Sequence, residues 1–317
     1  MACVLRIDLR RREECNACVR FSFEKLSKNL GVPVESSRGI FPVRESLLVK
    51  IDDDAGNSAC GECAPWAGFG GETIAQAEAF LEKCGGKMPA EIPADLPCVT
   101  HAFSAAKFFL ETSAGGNILR PENKLCAKLI RRSREDTPAC VSEKILRERE
   151  NDFSVFKVKI GLETVAEELR FCEKILTAVP AGTRVRFDAN GAFSEEILPE
   201  LARLSESSAV EYFEQPLPAS ERNDAKVFEF SACTNAKFAL DESVREPWAF
   251  PQNTRVVAVV KPLLVADFPR LLAWLENPSG PAVALSTVFE NSFAGTRALY
   301  LACARLAASR ARAFGLG

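Results

Sequence analysis

The run TRVRFDANGAF (residues 183–193) decides the fold class of this 317-residue chain. It reads as a short β-strand that ends on an acidic residue and passes into a small polar turn. The runs VEYFEQPL (210–217), FALDES (238–243) and VVAVVKP (256–262) repeat this pattern, with amphipathic stretches between them. Strand–helix alternation at a period of about 25 residues predicts parallel strands joined by right-handed crossovers.

Eight such runs extend along the last two thirds of the chain. They are LCAKLI, FKVKI, TRVRFD, AVEYFE, KFALDE, RVVAVVK, AVALST and RAFGL. They predict an α/β protein with a TIM-type barrel over residues 119–317. Residues 1–118 are expected to form a separate α+β capping domain, since SLLVKIDDDAGNSACGECAPW (46–66) resembles a hairpin and two helical patterns follow it.

The predicted strands end in charged residues. In chain order these are Lys157 and Lys159, then Asp188, Glu214 and Asp241, then Lys261. A single charge at such a place is more often a helix cap or an ion-pair partner. Charges on five successive strands predict an active site, because the carboxyl ends of barrel strands meet at one mouth.

The order of these charges suggests metal-assisted proton transfer. Three carboxylates offer the oxygen ligands that Mg²⁺ prefers, and Mn²⁺ is also possible. Such a metal would bind a small-molecule carboxylate substrate and favour loss of its α-proton. Lys157 and Lys159 point to the same face of a strand, and as neighbours of each other and of a divalent cation they are expected to have a lysine pKa lowered toward neutrality. The only histidine, His101, lies on a predicted helix outside the barrel, where a surface or core role suffices.

Overall composition narrows the class of protein. A net charge of −3 gives no reason to expect nucleic acid or a membrane surface as a partner. No apolar run approaches the roughly 20 residues that span a bilayer, so a cytoplasmic protein is expected. Among the twelve cysteines, Cys15/Cys18 and Cys60/Cys63 have CxxC spacing, but reduced thiols are favoured over a zinc site.

These motifs resemble a known family. KVKIG, RFDANGAF, EYFEQPL, LDES and VVKP are similar, in order and spacing, to the strand-end motifs of the muconate-lactonizing branch of the enolase superfamily. GECAPWAGFGGET (61–73) looks like the segment of that branch that folds over the active site. LDESVREPWAF (240–250) and LSTVFENSF (285–293) are most similar to its o-succinylbenzoate synthases.

The resemblance implies roles for single residues. Asp188, Glu214 and Asp241 would be the metal ligands, and Asn190 would support them. Lys159 would be the general acid and base, Lys157 its electrostatic neighbour, and Lys261 a fixed cation on the far side. Ser286, Thr287 and Phe69 would contact or surround the substrate. The implied reaction is the Mg²⁺-dependent syn-dehydration that yields o-succinylbenzoate in menaquinone biosynthesis.

The chain departs from the family pattern near its end. Val288 and Asn291 replace hydroxyl residues of the seventh-strand motif, so contacts there are expected from backbone donors instead. The chain stops at Gly317, within the predicted eighth strand, so the C-terminal segment that returns to the capping domain is expected to be missing.

Two other functions stay open. Racemisation of an N-succinylamino acid, or epimerisation of a dipeptide, would use the same metal with Lys159 and Lys261 as opposed acid–base partners. The eighth-strand stretch lacks the Asp-x-Asp typical of dipeptide epimerases, which disfavours dipeptides. A non-catalytic binding module is less favoured, because no ligand or base of the pattern has been lost.

Overall fold

The computed structural model describes residues 20–36, 39–66, 69–112, 118, 120–310 and 315. Its N-terminal part is an antiparallel sheet in the order β1-β2-β3 with two helices packed on it. The strands are β1 (Arg20–Ser36), β2 (Gly39–Asp52) and β3 (Ser58–Cys63), and the helices are α1 (Ile74–Cys84) and α2 (Pro97–Glu111). The sequence made no prediction for β1.

Strands β2 and β3 form the predicted hairpin. Its turn is closed by Asp53, whose carboxylate accepts the Asn57 backbone N–H at 2.8 Å. Alternate residues of β2 (Leu47, Val49 and Ile51) are fully buried and contribute to the capping core with α2. This period of two is what half-buried strands require, so the sequence pattern sets which face meets the helices.

The remainder is a curled parallel sheet of seven described strands in the order β10-β9-β8-β7-β6-β5-β4. They are β4 (Ala127–Ile130), β5 (Val155–Lys159), β6 (Arg184–Asp188), β7 (Val210–Glu214), β8 (Phe238–Leu240), β9 (Val257–Val260) and β10 (Val283–Leu285). The helices of this part are α3 (Pro138–Arg149), α4 (Val165–Ala178), α5 (Leu198–Leu204), α6 (Glu221–Cys233), α7 (Phe268–Leu275) and α8 (Phe293–Arg310). The predicted fold class is confirmed.

The predicted eighth strand is described at a single residue. Gly315 forms a parallel bridge with Ser286, next to the end of β10. Residues 311–314 and 316–317, residues 113–117 and 119 beside the predicted domain boundary, and Cys15 and Cys18 lie outside the described residues. The domain boundary at 118/119 therefore stays a prediction.

Alternation along the parallel strands places the charged side chains. Phe213 of β7 belongs to the large core cluster, whereas Tyr212 belongs to a smaller cluster with Ala239 and Val257. Glu214 follows Tyr212 by two residues and so shares its face of the sheet.

In the described part of the chain, no helix is both long and apolar enough to cross a membrane.

Candidate active site

The charged residues lie side by side at one edge of the parallel sheet. Lys159, Asp188 and Glu214 end β5, β6 and β7, and the register pairs Lys159 with Asp188 and Asp188 with Glu214. Asp241 directly follows β8, and Lys261 directly follows β9. The parallel register therefore brings together residues that are far apart in the sequence.

Lys157 lies between two of the carboxylates. Its Nζ is 2.6 Å from Glu214 Oε1 and 2.7 Å from Asp188 Oδ2. Both carboxylates are almost completely buried. The positive charge of the Lys157 ammonium offsets the electrostatic repulsion between these two buried carboxylates.

Lys159 also contacts Asp188. It lies two residues after Lys157 on β5 and points to the same face of the strand. Its Nζ is 2.5 Å from Asp188 Oδ2 and donates to Asn190 Oδ1 at 2.6 Å. Asn190 has a positive φ of 46° and its Nδ2 donates to Glu242 Oε1 at 3.0 Å. The DANG turn thus orients the side chain that faces Lys159.

Lys261 reaches the site from the far end of the sheet. Its Nζ donates to Asp241 Oδ1 and lies 4.1 Å from the centre of the Phe69 ring. Strands β6, β7 and β8 lie between β5 and β9 in the sheet order. Lys159 and Lys261 therefore approach from different sides.

The charges in this cluster shift one another's pKa. Burial acts to lower the pKa of Lys157, but Asp188, Glu214 and Asp241 outweigh it and raise that pKa well above its usual value. The expected lowering of a lysine pKa includes the effect of a bound divalent cation, so it stays a prediction. Burial, with the negative charges of Asp188 and Asp241, raises the pKa of Glu214 to about 7 against the opposing effect of Lys157. Although burial opposes it, Lys157 and Lys159 lower the pKa of Asp188.

A pocket opens directly above these groups. It is lined by Phe41, Trp66, Phe69, Ala127, Leu129, Lys157, Lys159, Asn190, Asp241, Lys261, Ser286, Thr287, Val288, Phe289 and Gly315. Its lining combines charged side chains with aromatic and aliphatic ones. Two of the predicted metal ligands, Asp188 and Glu214, lie just beneath it in contact with its lysines.

Two described residues of the predicted capping loop (residues 66–72) lie at this mouth. Trp66 and Phe69 line the pocket, whereas residues 67–68 lie outside the described residues. Gly70 and Gly71 have φ values of 68° and 90°, a conformation that glycine adopts without strain. Mobility of this loop stays a prediction.

The loop after β10 corrects one expectation. Its backbone donors were expected to serve the substrate, but they already have partners within the protein. Thr287 N donates to Gly315 O at 3.0 Å, Val288 N to Glu290 Oε1 at 3.0 Å, and Phe289 N to the Thr287 hydroxyl at 2.8 Å. Ser286 and Thr287 line the pocket, but the peptide N–H groups of residues 287–289 are not free to bind a ligand.

Sequence reasoning missed several residues that support the site. Gln215 Oε1 accepts the Asp241 backbone N–H at 2.9 Å, and Gln215 itself has a positive φ of 40°. Arg44 and Glu62 of the capping domain bind the loop after β10. The motifs EQPL and GECAPW contain Gln215 and Glu62, but only the folded chain shows what these side chains contact.

Comparison with known proteins identifies the family. A family profile described as enolase C-terminal domain-like matches residues 141–263. The o-succinylbenzoate synthase of Thermosynechococcus vestitus is 27% identical over 234 residues, which cover 71% of this chain and 69% of that protein. Residues 141–263 therefore form an enolase C-terminal-like domain. A chloromuconate cycloisomerase of Pseudomonas putida is 34% identical over 106 residues, covering 33% of this chain and 27% of that protein.

Solved structures of the enolase superfamily share the whole fold. The o-succinylbenzoate synthase of Thermosynechococcus elongatus, complexed with Mg in its active site, matches with a TM-score of 0.74 and 23% identity over 93% of this chain and 92% of that one. The L-Ala-D/L-Glu epimerase of Bacillus subtilis matches with a TM-score of 0.74 and 18% identity over 95% and 89%. At these identities the likeness shows the fold alone.

The residues at the mouth suit a divalent metal by the chemistry of their side chains. Asp188, Glu214 and Asp241 supply buried carboxylate oxygens from three adjacent strand ends. Within the described ranges, no group of three or more Asp, Glu, His or Cys side chains is arranged so that it could hold a metal ion. Each carboxylate instead contacts a lysine ammonium, so metal binding would require these ammonium groups to move away from the carboxylates.

Proposed function

We propose that this protein is an o-succinylbenzoate synthase. It would catalyse the Mg²⁺-dependent syn-dehydration of 2-succinyl-6-hydroxy-2,4-cyclohexadiene-1-carboxylate to o-succinylbenzoate, a step of menaquinone biosynthesis in the cytoplasm. The observation that carries this proposal is one pocket that Lys159 and Lys261 line together with the aromatic residues Trp66, Phe69 and Phe289. The 27% identity to a curated synthase over most of both chains supports it.

The metal's part in the reaction is electrostatic. Held by Asp188, Glu214 and Asp241, Mg²⁺ would bind the substrate carboxylate and stabilise the negative charge that develops on it. Mn²⁺ offers the same coordination chemistry and would substitute.

Lys159 would carry both proton transfers. In a syn elimination the α-proton and the departing hydroxyl lie on the same face of the ring, so one amine can take the proton and then return it to the leaving oxygen. Its Nζ lines the pocket and donates to Asn190 Oδ1, which is not one of the proposed metal ligands. Lys157 would hold the two carboxylates in position and is not proposed as the base.

Lys261 would act as a fixed cation. Its ammonium lies between the Asp241 carboxylate and the Phe69 ring, where it can neutralise charge as the proton leaves. The aromatic residues that line the pocket suit a six-membered ring, which becomes planar in the product and would pack on them without needing hydrogen bonds.

The proposed activity is tested directly. Purified protein with Mg²⁺ is assayed on the cyclohexadiene acid, with o-succinylbenzoate followed by its absorbance, and with EDTA and Lys159→Ala as controls. We expect turnover with metal, none after EDTA, and a loss of about 10²- to 10⁴-fold or more in Lys159→Ala. Full activity in EDTA, or no dehydration by the wild type, would exclude the proposal.

Racemisation of an N-succinylamino acid is the second candidate. It is favoured by the presence of both Lys159 and Lys261 in one pocket, at the ends of strands that β6, β7 and β8 separate, since each could then act as base toward one enantiomer. Dipeptide epimerases among the solved structures share the fold, which makes epimerisation of a dipeptide a related possibility to be tested.

Deuterium incorporation separates the two functions. Both enantiomers of N-succinylphenylglycine are incubated in deuterated water with the wild type, Lys159→Arg and Lys261→Arg. For a synthase, Lys261→Arg retains exchange from the Lys159 side, because its positive charge is kept. For a racemase, each variant loses exchange from one enantiomer only. Mg²⁺ binding without any exchange or turnover would instead favour a non-catalytic binding module.

A further inference from the structure

Arg44 joins three backbone segments from inside the protein. It lies on β2 and is only 4% exposed. Its Nη2 donates to Ala64 O at 2.6 Å, its Nη1 to Pro65 O at 2.5 Å, and its Nε to Val288 O at 2.8 Å. Ala64 and Pro65 lead into the capping loop, and Val288 belongs to the loop after β10. One guanidinium thus ties the capping domain to the pocket's far edge.

Glu62 forms a second set of hydrogen bonds between the capping domain and the loop after β10, beside those of Arg44. This residue of β3 is 1% exposed. Its Oε1 accepts the Asn291 N–H at 2.9 Å, and its Oε2 accepts the Ser292 N–H at 2.9 Å. The Asn291 side chain returns to the capping sheet by donating to Arg44 O at 2.9 Å. The carboxylate therefore satisfies backbone N–H groups that precede helix α8.

These ties support an aromatic wall, formed by Phe41, Trp66 and Phe289. The Arg44 guanidinium carbon lies 4.7 Å from the centre of the Trp66 ring. Trp66 packs on Phe41 and on Phe289 with ring centres 5.5 Å apart in each case. Phe289 has a φ of 59°, which is uncommon for a bulky residue and persists only when its surroundings fix it.

We propose that Arg44 is a positioning residue that, with Glu62, fixes the aromatic wall of the pocket. By binding the carbonyls of the capping loop and of the loop after β10 together, it places Trp66 and Phe289 against one another. The wall then holds the ring of the substrate while Lys159 acts on the opposite side. The part that concerns the substrate rests on the proposed function, whereas the placement of Trp66 does not.

Only arginine can make this set of contacts. Its planar fork donates in several fixed directions at once, and the acceptors here are carbonyls of three separate residues. Lysine keeps the charge but has one nitrogen, so it would release at least one of the two loops. Arg44→Lys is therefore the informative substitution.

The experiment isolates the fluorescence of Trp66. Trp248→Phe and Trp274→Phe leave it as the only tryptophan, since the chain has three. Arg44→Lys is introduced into this background, and Arg149→Lys serves as the matched control. Arg149 also donates to a backbone carbonyl, Ala181 O at 3.3 Å, but does so away from the pocket. Acrylamide quenching of Trp66 is measured first, and KM and kcat for the cyclohexadiene acid second.

We expect Arg44→Lys to raise the quenching constant of Trp66 at least threefold and KM at least tenfold, with kcat changed less than threefold. Arg149→Lys should leave all three close to the background. Unchanged quenching, an equal effect in Arg149→Lys, or a fall in kcat without a rise in KM would overturn the proposal. If Arg44→Lys does not fold, the same measurements are made on Glu62→Gln, which weakens the hydrogen bonds from Asn291 and Ser292. If the wild type does not turn over this acid, the proposed function fails, and the quenching result alone decides whether Arg44 positions the wall.

Discussion

Acidification should destabilise this protein through a single buried histidine. His101 of α2 is fully buried, and its Nδ1 donates to Val265 O at 2.9 Å across the contact between capping domain and barrel. Its ring packs edge-on against Phe268, with centres 5.5 Å apart. In the described part of the chain, Nε2 has no hydrogen-bond partner. A proton added there would be buried without an acceptor.

The size of the effect follows from the pKa. Burial lowers the pKa of His101 from 6.5 to about 4, although its bond to Val265 opposes the change. The unfolded chain therefore takes up this proton at a higher pH than the folded protein does. Stability from this group is complete above pH 6.5 and is lost as the pH falls toward 4. At about 1.4 kcal/mol per pKa unit, the loss is about 2 kcal/mol at pH 5 and about 3 kcal/mol at pH 4.

The assay compares wild type with His101→Asn. Asparagine keeps a neutral donor near the Val265 carbonyl but does not titrate, and the chain has no other histidine. The free energy of unfolding in urea is measured for both proteins at intervals from pH 7 to pH 4.5. The variant should be less stable at pH 7, because the ring contact with Phe268 is lost, and the difference should shrink by about 2 kcal/mol by pH 5. Parallel curves for the two proteins would refute the reasoning.

Three further outcomes are expected. Glu214→Gln should reduce turnover about 100-fold or more while circular dichroism stays close to wild type, because a metal ligand is removed and the barrel still folds; near-normal turnover would contradict its proposed role. Glu168→Gln should lower the free energy of unfolding by about 3 kcal/mol in urea, because it leaves the buried charge of Arg132, now 2.6 Å from Glu168, without its partner. A loss below about 1 kcal/mol would show that the pair is replaceable. Gly70→Ala should cost about 1 to 2 kcal/mol, because its φ is 68° and the added methyl would meet Arg245; an unchanged thermal midpoint would be inconsistent with this backbone.

The positions of the charged residues at the strand ends could be predicted from the sequence, but their contacts could not. A charge that closes an apolar run must lie at the carboxyl end of a parallel strand, so Asp188, Glu214 and Lys261 could be assigned to one edge without coordinates. Which charges touch could not be predicted. The contacts of Lys157 with two carboxylates depend on the register between β5, β6 and β7, and the nearby carboxylates raise its pKa against the effect of burial.

The supporting residues lie beyond any local pattern. Arg44 and Val288 are 244 positions apart, and Glu62 and Asn291 are 229 apart, yet each pair is in direct contact. Glu62 lies within the predicted hairpin (46–66), and Arg44 lies two residues before it. Nothing in a strand pattern distinguishes an arginine at a solvent edge from one that is buried against carbonyls.

By itself, the sequence determined the class of fold, the edge at which the charges gather and the kind of chemistry those charges can perform. These follow from periodicity and from the ends of strands, which are local properties of the chain. Only the tertiary structure decided which lysine faces which carboxylate, that the backbone donors of the loop after β10 are already used, and that two capping-domain residues hold the aromatic wall. Contacts of this kind are set by the register and packing of distant segments, and their free energy is gained only when those segments meet.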